Sequence, residues 1–368
     1  MKNKIHKYDF LIVGAGLIGT LTALALEQKN FKVLLIDNKN YTSIDKRTLA
    51  VNANSKDLLK KLGIWKKLRS KPQPIDKIII KDSINSTPLI FSNSNETMGN
   101  VIFNSELIKI TLAKLENLKI LIKNVNLNIA ELSPNKTIFI RKRKYQFKKI
   151  VLCLGKNITS NPLFESVVFD SGHFSYVGFF NHSKNHKNIA YEIFNQDGPF
   201  AVLPAPAINN KKSTFIYSTR NKISISKINS LIKSNFTKTH GQIVMSKSIF
   251  KFPIRPHLQK NNENFIFVGD SFKSIHPVAG QGWNLGVKDI QTLCNLSEKY
   301  PLDFDGFNSI YYSKRIFEST MYLGFTSILN LLYESKKPIN KTIIEFGYES
   351  LRLIKPLRDL FIKKAMGR

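Results

Sequence analysis

The segment Tyr8-Asp-Phe-Leu-Ile-Val13 followed by Gly14-Ala-Gly16-Leu-Ile-Gly19 constrains the fold of this 368-residue chain more than any other. The apolar run reads as a buried strand, the glycines form G-x-G-x-x-G, and Thr20 to Gln28 continues as a helix of small residues. Phe31 to Ile36 gives the next strand. Asp37 closes it 18 residues after Gly19, near the roughly 20-residue offset of a dinucleotide fingerprint. Each position has a mechanical task. Gly14 permits the tight turn, Gly16 lets a pyrophosphate approach the backbone, Gly19 lets helix and sheet pack closely, and Asp37 accepts a ribose hydroxyl. The glycines alone would be a weak signal. With a strand before them, a helix after them and an acid at the end of the next strand, they predict a Rossmann-like α/β unit that binds a dinucleotide. Asp37 in place of a basic residue favours a plain ribose, as in NAD or the ADP half of FAD.

A second unit of the same physical kind lies near the C-terminal third. Phe265-Ile-Phe-Val268 reads as a strand ending in Gly269-Asp270, and a loop with Pro277, Gly280 and Gly282 leads to helical periodicity from Asn284 onward. Such a helix start offers free backbone N–H groups and the positive end of a dipole, which suits an anionic group.

Three further segments share the chain with these units: Asp45-Lys-Arg47-Thr-Leu-Ala-Val-Asn-Ala-Asn-Ser55, Leu62-Gly-Ile-Trp65, and Asp197-Gly-Pro-Phe-Ala-Val-Leu-Pro204. In order and spacing the whole set resembles the flavin-dependent aromatic hydroxylases of ubiquinone biosynthesis. These belong to the single-component FAD monooxygenases similar to 4-hydroxybenzoate hydroxylase. The resemblance runs from about Tyr8 to at least Tyr312 and weakens in the tail. It implies that Gly14, Gly16, Gly19 and Asp37 hold the ADP moiety of FAD, and that Arg47 lies beside the cofactor, where a fork of donors suits a pyrophosphate. It implies contact of Gly269-Asp270 with the ribityl or ribose hydroxyls, and it lays Pro277 and Gly280-Gln281-Gly282 along the isoalloxazine. The helix starting near Asn284 would then face the flavin's pyrimidine edge, which carries negative charge when reduced.

The implied reaction is ring hydroxylation. NAD(P)H reduces FAD, O2 reacts with the reduced flavin, and one oxygen atom passes to an activated phenol ring while the protein excludes water. For a polyprenyl phenol or quinone precursor the substrate face should be apolar, and Phe200, Val202 and Leu203 are expected to line it. No catalytic base is identifiable. Alternatives on the same fold are another FAD-dependent oxidoreductase, or a catalytically impaired flavoprotein subunit of a membrane-associated quinone-biosynthesis assembly. Two departures from the family pattern bear on them. Lys273 stands where the first histidine after Gly-Asp is usual, although His276 remains. Leu154 stands where the middle Asp-Gly motif should have its acid, beside Gly155, which puts the nicotinamide-dependent step in doubt more than the fold.

Composition narrows the partners. A formal net charge of +30 comes from 56 Lys+Arg against 26 Asp+Glu, spread along the chain. It favours contact with anionic surfaces, yet no zinc-finger spacing, RNP-like sequence or aromatic-interleaved basic helix accompanies it, so specific nucleic-acid recognition is not expected. Cys153 and Cys294 have no metal-ligand spacing and imply neither a disulfide framework nor a metal site. Cys153 reads as a small buried hydrophobe, and His276 as either a loop residue or a satisfied core group. Seventeen uncharged residues from Phe10 to Leu26 follow Lys2, Lys4 and Lys7, superficially like a signal peptide, but the ordered glycines fit the dinucleotide reading better. A cytoplasmic protein is expected, and its basic amphipathic tail reads either as a helix packed on the FAD-binding unit or as a peripheral contact to the inner face of the membrane.

The organisation follows from the motifs. Residues 1–74, 98–165 and 253–306 should assemble an FAD-binding unit, with a helix at Asn104 to Leu115. Residues 75–97 and 166–252 should form an inserted antiparallel sheet covering the flavin, from runs such as Lys77 to Ile80, Phe174 to Phe180, Phe200 to Leu203 and Thr214 to Tyr217. Residues 307–368 read as a C-terminal helical segment. In its tail, Leu353, Ile354, Leu357, Leu360 and Phe361 alternate with Arg352, Lys355, Arg358, Lys363 and Lys364, and Pro356 predicts a break.

Overall fold

The computed structural model describes residues 5–39, 47–82, 84, 87–93, 96–169, 172–334 and 338–367. Asp45 and Lys46, at the start of the segment that carries Arg47, lie outside them. Among the described residues there are eight α-helices: α1 (Leu17–Glu27), α2 (Ala53–Lys61), α3 (Asn104–Asn117), α4 (Ile225–His240), α5 (Gly282–Lys299), α6 (Phe307–Glu334), α7 (Pro338–Leu353) and α8 (Lys355–Ala365).

The N-terminal strand Ile5–Val13 lies in a parallel sheet between Arg143–Leu152 and Val33–Ile36, with Phe265–Phe267 and Leu121–Ile122 outside them. Phe10 to Val13 and Val33 to Ile36 are buried without alternation, as a parallel strand covered on both faces requires. Glycine sets the approach of α1 to this sheet. Gly14 has φ +104°, and a Cβ there would collide with the Cys153 carbonyl oxygen. A Cβ on Gly19 would collide with the Gly14 carbonyl, so the turn and the first helical turn are pressed together. Beneath them α1 packs against α3 and α5.

The second large sheet has seven strands in the order Ile243–Pro253, Phe174–His182, Lys212–Thr219, Gly198–Pro204, Ile189–Asn195, Lys77–Asp82 and Leu89–Ser92. It is not wholly antiparallel, as the sequence suggested. Lys77–Asp82 runs parallel to Ile189–Asn195, because these two strands come from separate parts of the chain and no hairpin dictates their direction. Helix α4, also unanticipated, covers one face of this sheet. Ser224 caps it by accepting the Lys227 amide, and Ile228, Ile232, Phe236 and His240 form its buried stripe. The opposite face looks towards the parallel sheet and the C-terminal helices.

Those helices break where Pro356 predicts. Ile354 has extended backbone at the start of α8, Pro356 occupies its first turn, and the apolar stripe of the tail is divided between α7 and α8. No helix among the described residues is long and apolar enough to cross a membrane.

Candidate cofactor and substrate site

A cavity of about 600 Å3 runs along the carboxyl ends of the parallel strands. The N-terminal motif contributes Gly16, which precedes α1 in extended conformation (φ −67°, ψ −177°). No side chain caps α1 and its first turn carries no acid, so its leading amides are left to an anion. Asp270, Pro277, Gly280 and Gly282 line the other side. Helix α5 begins there in the same way, with no side-chain cap and no acid in its first turn. Arg47 sits at the exposed rim, its guanidinium 4.7 Å from the centre of the Phe252 ring.

Several anticipated residues support the cavity without lining it. Gly14 and Gly19 make the turn. Asp37 is buried, and its carboxylate accepts the Ala15 amide at 2.5 Å and the Lys39 amide at 2.7 Å, so it locks the glycine turn to the second strand. Gly269 has φ +65° and donates its amide to Asp289 at 3.0 Å. The Asn284 side chain is committed to a long-range clamp: its amide donates to the Ala50 carbonyl at 2.9 Å, and its oxygen accepts the Asn52 amide at 3.1 Å and the Ser55 hydroxyl at 2.8 Å.

A second cavity of about 580 Å3 meets the first at Ala50, Leu203, Ile216 and Gly280. Its walls are largely aliphatic and aromatic, from the second sheet and from α6, α7 and α8. Gln281 and Asn284 close its inner end. Leu203 lines it, whereas Phe200 and Val202 do not. Both are buried in a different core, Phe200 against Phe236 of α4, because side chains on a strand alternate between faces. The residues that share Leu203's face and line the chamber are Ala201 on the same strand and Ala190, Glu192 and Phe194 on its neighbour. Sequence reading missed Glu192, a buried carboxylate on the chamber wall, although the alternation of Ile189–Asn195 could have placed it. Phe194 stacks on Tyr333 (centroids 4.7 Å apart, planes at 11°), whose hydroxyl donates to Asp82 at 2.8 Å.

A family model described as "FAD binding domain" matches residues 7–119. Ubiquinone hydroxylase UbiL of Rhodospirillum rubrum is 24% identical over 98% of this chain and 89% of its own length. Ubiquinone biosynthesis monooxygenase COQ6 of Caenorhabditis elegans is 22% identical over 98% and 96%. Among solved structures, PqsL, a probable FAD-dependent monooxygenase from Pseudomonas aeruginosa, superposes with a TM-score of 0.70 at 13% identity, covering 90% of this chain and 97% of its own. The p-nitrophenol 4-monooxygenase PnpA of Pseudomonas putida gives the same score at 11% identity, covering 98% and 99%. Residues 7–119 thus carry an FAD-binding domain, and along nearly its whole length the chain is similar to ubiquinone hydroxylases.

The two departures from the pattern of the hydroxylases it resembles have different structural meanings. Lys273 is buried and places its ammonium 2.5 and 2.7 Å from the two oxygens of Asp289 on α5. Arg315 of α6 reaches the same carboxylate at 2.8 Å, and it and Lys288 both bind Glu318. Burial pushes the Lys273 amine below its usual range, while Asp289 pulls the other way. The lysine thus ties the Asp270 loop to α5 and α6 and takes no place on the cavity wall. Leu154 also does not line the cavity. It packs into the core behind the parallel sheet, at the start of the 3-10 turn Gly155–Ser160, and leaves that turn without a side-chain cap. Its neighbours Cys153, Gly155 and Lys156 are the residues that face the cavity. Burial drives the Cys153 thiol up to about 12, in keeping with an inert packing residue. His276 is buried beside His173 with both ring nitrogens unpartnered, and burial holds it down at about 3.

Proposed function

We propose that this flavin-dependent hydroxylase acts on the aromatic ring of a polyprenyl phenol or quinone precursor in ubiquinone biosynthesis, with FAD, NAD(P)H and O2. One observation carries the reading: a cavity bordered by two bare helix starts joins, at Gly280, a chamber of apolar side chains. The first suits a dinucleotide, and the second suits a ring with a hydrocarbon tail.

In this reading the amides of the Gly14–Gly19 turn hold the pyrophosphate, Arg47 supplies a donor fork at its edge, and Asp270 accepts hydroxyls. The backbone at Pro277, Gly280, Gln281 and Gly282 and the start of α5 border the flavin ring. Residues 1–74, 98–165 and 253–306 form the FAD-binding unit, and 75–97 with 166–252 form the substrate-binding unit. Bound FAD would supply the oxygen-activating chemistry, with NAD(P)H as the reductant. The chain's own residues do the rest. Leu203 and Ala201 direct the ring towards Gly280, Phe194 and Tyr333 wall the tail, and the aliphatic lining keeps bulk water from the junction.

Residence of such a substrate in a bilayer makes peripheral association with the inner face of the cytoplasmic membrane part of this reading. The uncapped turn at Leu154 favours one second reading, an impaired flavoprotein subunit. Deleting the gene and identifying the accumulated quinone intermediate tests both. A precursor lacking one ring hydroxyl supports hydroxylation, and an unchanged quinone profile rejects it.

A further inference from the structure

The apolar chamber has an outer mouth. Phe325 of α6, Ile343 and Phe346 of α7 and Leu357 of α8 line it and are also exposed, Phe346 at 76%. Around this opening the same three helices leave further large apolar side chains uncovered. Ile328 and Leu331 lie on α6, Ile339 and Leu353 on α7, and Leu360 on α8. Scattered exposed apolar residues need no explanation, but a group on adjoining helices around the mouth of a chamber marks an interaction surface.

Charge decides between occupants. Lys355, Arg358, Lys363 and Lys364 of α8 stand beside the exposed leucines, with Asp359 the lone acid in that helix. A second copy of this chain would set two such faces together, each on a molecule of formal net charge +30. An anionic lipid surface meets the same cations favourably and can take the leucines and phenylalanine below its headgroups.

We infer that the face formed by α6, α7 and α8 docks on an anionic bilayer and that the chamber mouth beside Phe346 opens into the lipid. Docking rests on the exposed face itself; only the identity of what enters rests on the proposed function. The mouth then delivers an apolar molecule from the acyl region to Gly280 without passage through water. Met366 and Phe361 fasten α8 from inside, Phe361 against Phe91 (centroids 5.4 Å apart), so the helix presents Leu360 outward from a fixed base.

The test is flotation of the full-length flavoprotein with vesicles of phosphatidylcholine, with and without about one-third phosphatidylglycerol, at low and high salt. The expected result is binding only to the anionic vesicles, weakened by salt, and at least about tenfold weaker binding in Leu353→Glu/Leu360→Glu and in Lys355→Glu/Lys363→Glu/Lys364→Glu. Flavin absorbance and circular dichroism should be unchanged in both variants, which separates lost docking from misfolding. Absence of wild-type binding at low salt, or full binding by either folded variant, overturns the inference. So does a dimer in sedimentation that the leucine variant abolishes, which would make this face a contact between copies. Flotation by a protein that holds no FAD would leave docking standing and reject the proposed function instead.

Discussion

The two cavities that meet at Gly280 are built in opposite ways. The cavity between the two bare helix starts is shaped by glycine turns, uncapped helix starts and strand ends, with side chains such as Leu49, Phe252 and Trp283 completing its wall. The apolar chamber is made almost wholly by side chains from the second sheet and three helices. Backbone features depend on a few residues at fixed local spacing. A side-chain chamber depends on which face of each strand or helix turns inward, and tertiary register decides that. Mutations should therefore act differently in the two. A single side chain added to the first should abolish binding, whereas changes in the second should separate into structural and substrate-selective ones.

The largest effect is expected at Gly16. Gly16→Val places a branched side chain on the cavity wall beside the leading amides of α1, and the purified protein should come out colourless with a native circular dichroism spectrum. Full retention of yellow flavin would break the contrast between backbone-built and side-chain-built sites. Next comes Asp289, which holds Lys273, Arg315 and the Gly269 amide at once. Asp289→Asn leaves the buried Lys273 ammonium without its carboxylate and Arg315 with Glu318 alone, and should cost about 3–5 kcal/mol in denaturant unfolding. A loss under 1 kcal/mol by the same estimate would show that the network does not frame the Asp270 loop.

The strand Gly198–Pro204 allows the sharpest division, since adjacent residues serve different cavities and cores. Phe200→Ala should lose about 3–5 kcal/mol of stability because its ring fills the core under α4. Ala201→Trp, on the chamber wall alone, should leave FAD content intact and raise KM for long-tailed phenols several-fold, with little change for short ones. If Phe200→Ala instead altered substrate preference without loss of stability, the assignment of faces would be wrong.

This strand also shows how far the sequence was legible. Its existence and apolar character were plain from Phe200, Val202 and Leu203, but a continuous apolar run does not reveal its inward face, and the choice of Phe200 and Val202 fell on the wrong side. The glycine turn could be read because G-x-G-x-x-G carries its geometry locally. Lys273 looked like a functional departure until its partner, 16 residues away on α5, became visible. Helix α4 had a usable signal in Ser224 and the four-residue spacing of Ile228, Ile232, Phe236 and His240, but the surrounding β-branched residues obscured it. Asp37 was placed correctly in the chain, yet its bonds to Ala15 and Lys39 join residues that only the folded turn brings together.

A smaller effect comes from histidines buried in the neutral state. Burial, with the neighbouring histidines, holds His186 at about 4 and His240 at about 3 behind the second sheet, while His276 stands at about 3 near the Asp270 loop. In the unfolded chain each takes up a proton near pH ~6.5, so the unfolded state binds more protons below that pH. Stability should be complete above pH ~6.5 and fall as the pH drops towards 4, by up to about 2 kcal/mol per histidine at pH ~5. Urea midpoints at about pH 7.5 and about pH 5 measure this, and His240→Gln should flatten the dependence. A pH-independent midpoint would mean that these imidazoles are not held neutral by the fold.

The junction at Gly280 is tested most directly by aerobic turnover of the purified flavoprotein with NAD(P)H and a polyprenyl phenol, followed by mass spectrometry of the product and flavin absorbance. The expected result is a product heavier by one oxygen atom, with the flavin spectrum perturbed by the phenol in wild type and unperturbed in Ala201→Trp. Flavin that is reduced and reoxidised with no oxygen gained by the phenol, or a flavin spectrum indifferent to it, would contradict the placement of cofactor and substrate on either side of Gly280.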